Sequence, residues 1–134
     1  MSERSEHGQE ITEAADRLGA AFATRDLAAA LDCFVTDDDI GYVGSEPGEC
    51  ATGRAAVSAL LAQVFARPEA YGWRTTTSTV RRYADCAYLM AEADGRVDTD
   101  AGDRIPFAYR LSGLLEPVAG RWRWRYCHGC EPAG

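Results

Sequence analysis

The apolar residues of this 134-residue chain change their spacing once, near Pro68, and that change limits what the chain can fold into. Before it, the spacing is helical. Ile11, Ala15, Leu18 and Phe22 fall at i, i+4, i+7 and i+11, one stripe of an amphipathic helix. Leu27, Ala30, Leu31 and Phe34 repeat the pattern behind Asp26, a residue type suited to capping a helix N-terminus. Thr52 is placed to cap a third helix with Val57, Leu60, Leu61, Val64 and Phe65 on one face, and Pro68 follows its end. Beyond Pro68 the segments read as strands: Trp73 to Arg82, Ala84 to Ala93, Ile105 to Leu115 and Arg121 to Cys130. Ile40 to Val43 is a further short strand, closed by the turn-rich run Gly44 to Gly48. The resulting order, α-α-β-α-β-β-β-β, predicts an α+β domain with three N-terminal helices packed on one face of an antiparallel sheet. Residues 1–9 are polar and unpatterned and read as a flexible N-terminus, residues 10–132 as one domain and residues 133–134 as a short tail.

Charge and composition exclude several classes. A formal charge of −7 disfavours phosphate backbones and anionic lipid surfaces, so no nucleic-acid or membrane partner is expected. No stretch resembles a membrane span, and Met1 to Gln9 lacks the layout of a secretory signal. The expectation is a soluble, cytoplasmic protein. Its five cysteines, an odd number in a chain with enough core to fold unaided, read as free thiols.

The segments Arg25 to Asp38 (RDLAAALDCFVTDD), Thr52 to Leu61 (TGRAAVSALL) and Tyr109 to Pro132 (YRLSGLLEPVAGRWRWRYCHGCEP) resemble the SnoaL-like branch of the nuclear-transport-factor-2-like superfamily. The resemblance implies a cone-shaped, cystatin-like fold whose curved sheet and helices enclose a small-molecule pocket. It also implies roles for an Arg, a Trp and a His in the last two strands, which here are Arg110, Trp122 and His128, with Cys130 and Pro132 following. Two positions depart from the pattern: Tyr126 stands where a second His is common, and Cys130 stands for a Ser. The segment Val43 to Pro47 is also similar to ketosteroid isomerases, but that alignment puts the catalytic Asp at Gly41 and the oxyanion Tyr at Leu18. Neither residue can do that chemistry.

Uninterrupted strand parity puts Trp122, Trp124, Tyr126 and His128 on one side of the last strand, and closing a core requires that apolar side to face the helices. His128 is then a pocket acid or base, or else a hydrogen-bonded residue at a strand end or dimer interface. Arg110, opposite the apolar parity of its strand, needs a carboxylate, a carbonyl cluster or an anionic ligand. These two are the catalytic candidates, and Tyr42, Trp73, Tyr109, Trp124 and Tyr126 are the candidate pocket walls. Arg123 and Arg125 read as a solvated or dimer-facing stripe. The run Asp37 to Asp39 reads as a turn, one of whose carboxylates could face the pocket mouth. The acidic stretch Asp94 to Asp103 reads as a hairpin connection, because it lacks the ligand spacing of a calcium loop.

Cys127 and Cys130 would point apart on a strand, and no second Cys/His cluster exists, so no metal or other cofactor is implied. Two functions remain. One is a proton-transfer enzyme (cyclase, isomerase or dehydratase) acting on a small apolar metabolite; the other is a non-catalytic ligand-binding or dimerisation module. A Trp-rich last strand on a half-covered sheet predicts a homodimer.

Overall fold

A computed structural model describes residues 3–132, with side chains from Gly8 onward. The expected tail at 133–134 and the first two residues lie outside it. Helix α1 (Glu3–Thr24) buries Ile11, Ala15, Leu18 and Phe22 as the stripe predicts, and begins well before it, within the segment expected to be flexible. Helix α2 (Leu27–Asp32) is short, and Asp26 caps it by accepting the Ala29 N–H at 3.1 Å. Strands β1 (Gly41–Val43) and β2 (Cys50–Thr52) form a small hairpin, and helix α3 (Arg54–Phe65) buries Val57, Leu60, Leu61 and Val64. Thr52 belongs to β2, a strand absent from the expected order. The cap of α3 is Gly53, with no side-chain hydrogen bond.

Four long strands follow: β3 (Ala70–Tyr83), β4 (Cys86–Asp98), β5 (Arg104–Val118) and β6 (Arg121–Cys130). The six strands lie in the order β2-β1-β6-β5-β4-β3. All neighbours are antiparallel except β1 and β6, which run parallel, so the sheet is mixed rather than antiparallel. The parallel pair arises because the chain leaves α2 alongside β6: Val35 donates to the Trp124 carbonyl at 2.9 Å and Trp124 donates to the Cys33 carbonyl at 2.8 Å. The first half of the acidic stretch, Asp94 to Asp98, is strand in β4. Its alternation runs as far as Gly95, and the hairpin turn is confined to Thr99–Asp103, closed by Thr99 N–H to Asp103 O at 2.8 Å.

The helices cover the inner face, where Trp73 ties sheet to helix by donating its indole N–H to the Ala15 carbonyl at 3.0 Å. Gly19 lets α1 approach there, because a Cβ would meet the Trp73 carbonyl oxygen at 2.5 Å. Among the described residues no helix is long and apolar enough to cross a membrane.

Candidate functional site

The inner face and the helices leave a cavity of about 50 Å³ between them. Its walls are rings. Phe22 of α1 lies 4.8 Å from Trp73 of β3, which lies 5.0 Å from Tyr109 of β5, which meets Phe107 edge-on at 5.7 Å. Tyr42 of β1 completes the floor, 3% exposed, and stands close enough to Tyr109 for each phenol to act on the other's ionisation. Burial pushes both phenols above their ordinary value, so both stay protonated donors at any working pH. Both tyrosines line the cavity, where a phenolic O–H can donate to a ligand. Gly129 makes room for this pair, since a Cβ there would overlap the Tyr109 hydroxyl.

Glu49 enters the same cavity from the β1–β2 turn. Among the described residues it is the polar or charged residue classed as buried, at 8% exposure. Its carboxylate accepts the Glu46 N–H at 3.3 Å and pairs with Arg67 at 3.0 Å. Gly44 permits this turn, because a Cβ there would collide with the Glu49 carboxylate. Burial disfavours the Arg67 cation, but the hydrogen bond and charge of Glu49 outweigh it and hold Arg67 above its ordinary value. The negative charge of Glu49 also acts on both phenols. The cavity therefore brings together a buried carboxylate, an available phenolic proton and apolar walls.

Of the pocket residues expected from sequence, Tyr42, Trp73 and Tyr109 line this cavity. Trp124 does not: it is fully buried in the core against the chain at Phe34. Tyr126 and His128 are on the opposite, outer face, both exposed. The cause is a β-bulge. Leu114 pairs with Tyr126 but Leu115 pairs with Trp124, so Arg125 is an extra residue in β6 and the parity reverses after Trp124. Trp122 and Trp124 face inward, then Cys127 and Gly129 do, and His128 is turned out. The expectation that His128 faces the pocket with Trp124 or Tyr126 is thereby corrected. Arg110 is also on the outer face, its Nε 3.8 Å from Glu92 Oε1, an exposed ion pair beyond hydrogen-bonding distance.

Arg123 and Arg125 are not a solvated stripe. Arg123 bonds Asp32, and Arg125 holds Glu116 through two 2.7 Å bonds and Asp37 through a third. Asp39 accepts the Tyr126 hydroxyl, so the Asp37 to Asp39 turn is fastened to the outside of the bulge and does not reach the cavity. Leu18 and Gly41 are buried. Cys33 and Cys127 are buried as well, and burial pushes the Cys33 thiol up to about 11.

Nothing in the sequence marks Glu49 and Arg67 as site residues. An acid in a Gly/Pro turn and an Arg at a helix end look like solvated residues, and no spacing rule brings them together.

The SnoaL-like domain model matches residues 11–133. The chain belongs to that family. No curated protein matches it. The solved structures similar to this SnoaL-like domain include an NTF2-like superfamily protein from Salmonella enterica (16% identity, TM-score 0.79, covering 97% of this chain and 94% of that one). Another is a candidate dehydratase of the NTF2-like family from Streptomyces avermitilis (15%, 0.79, 97% and 99%). A third is a candidate scytalone dehydratase from Novosphingobium aromaticivorans (12%, 0.79, 97% and 87%). At these identities they establish the NTF2-like, cystatin-like fold.

Proposed function

We propose that this SnoaL-like domain is a small-molecule pocket protein working by proton transfer, as a dehydratase, isomerase or cyclase, on a small metabolite with a largely apolar body. The observation that carries the reading is the burial of Glu49 in the same ring-lined cavity as the Tyr42–Tyr109 pair. In that arrangement Glu49 takes a proton from carbon beside a carbonyl, and the available phenolic O–H stabilises the oxygen on which charge develops. The dehydratase descriptions of two structural neighbours agree with such chemistry. His128 and Arg110 have no part in it.

The test is deuterium exchange in D₂O beside the carbonyl of a panel of small ketones, followed by proton NMR. Exchange above buffer that falls on the order of a hundredfold in Glu49→Gln supports the reading. Exchange equal to buffer returns the protein to a non-catalytic ligand-binding role, and exchange above buffer that is unchanged in Glu49→Gln overturns Glu49 as the base. One observation favours that second role: the Glu49 carboxylate is already engaged by Arg67.

The outer face supports the homodimer proposal. Val43, Tyr88, Met90 and Tyr126 are 37%, 41%, 50% and 41% exposed there, a row of large apolar groups on one side of the sheet.

A further inference from the structure

The mouth of the cavity carries a charge that the proton-transfer reading does not use. Glu46, Glu49 and Glu131 line it together with one cation, Arg67. Arg67 is paired with Glu49, and among the described residues no ion pair engages Glu46 or Glu131 at the opening. The partner shown for the Glu131 carboxylate is the Ser45 hydroxyl, at 3.3 Å, and both acids are exposed. Inside this negative rim stand the rings of Trp73, Phe107, Tyr71 and Tyr109.

Each half of the arrangement selects the same kind of visitor. A ring of carboxylates over low-dielectric walls concentrates cations and repels anions. Aromatic faces attract an organic cation through the ring quadrupole while accepting its methyl or methylene groups as apolar surface. A metal ion gains nothing from the rings, and among the described residues no cluster of three His, Cys, Asp or Glu is arranged to hold one. The volume, about 50 Å³, is well below the several hundred Å³ typical of drug-sized ligands, so a head group enters rather than a polycyclic body. At the floor, the phenols of Tyr42 and Tyr109 offer an O–H donor that suits an oxygen acceptor.

We propose that the cavity takes a small organic cation, an alkylammonium compound that also carries an oxygen acceptor, with its positive group at the Glu46/Glu131 mouth. The proposal rests on the same cavity as the proton-transfer reading but not on the chemistry performed there.

Three probes of matched shape test it by NMR titration of the full chain at low salt: choline, its uncharged isostere 3,3-dimethyl-1-butanol, and the anion 3,3-dimethylbutanoate. Choline is expected to bind at least about tenfold more tightly than the alcohol, with the anion weakest. The double variant Glu46→Gln/Glu131→Gln, altered at two exposed positions, is expected to lose about fivefold in choline affinity and none for the alcohol. Equal or tighter binding of the alcohol or the anion overturns the proposal, as does no binding of any probe up to about 10 mM, the weak end of specific recognition. If choline is selected while no ketone exchanges deuterium, the proton-transfer reading falls and the cation site stands. If Glu49-dependent exchange is found but the alcohol binds as well as choline, the reverse holds.

Discussion

Gly113 on β5 stands so close to Tyr126 on β6 that a Cβ at residue 113 would overlap the Tyr126 carbonyl oxygen. Gly113 also has a φ of +154°, which L side chains rarely adopt. This contact sits beside the bulge that reverses β6, so the exposure of His128 and the burial of Cys127 depend on a glycine in the neighbouring strand. Gly113→Ala is therefore expected to destabilise the fold by about 1–3 kcal/mol, the cost of overpacking with a strained backbone. Urea unfolding measures it, and a loss within about 0.5 kcal/mol of zero, the ordinary range for surface changes, would contradict the account.

The other side of the bulge is held by charge. Arg125 lowers the Glu116 carboxyl through its hydrogen bonds, against the opposing effect of burial, and lowers Asp37 in the same way; Arg123 and Arg121 lower Asp32. A carboxyl depressed in the folded state adds stability that is complete above its unfolded value and is lost as pH falls through the folded one. With ordinary values of 3.8 for Asp and 4.5 for Glu, that stability is complete above roughly pH 5 and disappears below it. Arg125→Met should remove the Glu116 and Asp37 share, so that thermal midpoints fall less steeply between pH 5 and pH 3 than in the unsubstituted protein. An identical acid limb in the two proteins would show that Arg125 does not carry this linkage.

The helical half of the molecule was legible from spacing alone, because α1 and α3 bury the stripes that periodicity selects. Strand β6 was legible in extent but not in facing. A period of two predicts sides only while the ladder is regular, and nothing local in Arg121 to Cys130 marks Arg125 as an extra residue. The signal was in the neighbouring strand, at Gly113. Strand β2 is three residues long with one buried side chain, too little alternation to register. In the site, Tyr42, Trp73 and Tyr109 were recognisable as large aromatics that need a wall or a core. Glu49 was not, because its burial is created by a turn meeting the end of α3.

Because His128, Tyr126 and Met90 share the outer face, their substitution should affect association rather than the cavity. A dimer by light scattering at tens of micromolar, on the scale of moderate association, is expected for the unsubstituted chain, and Met90→Glu is expected to shift it toward monomer. His128→Gln should leave ligand binding unchanged. A monomer at that concentration, or a Met90→Glu dimer of equal stability, would count against the outer face as the contact.

The proposed ligand site is inside the cone, at Glu49 and the tyrosine pair, and not on the outer face at His128 and Arg110. Backbone amide NMR mapping of small bound fragments decides between these directly. The largest shift changes are expected at Tyr42, Glu49, Arg67, Trp73 and Tyr109, and both Tyr109→Phe and Glu49→Gln should weaken binding by roughly tenfold, about 1.4 kcal/mol. Shifts confined to Met90, Arg110, Ser112 and His128, with binding unaltered by either substitution, would contradict it.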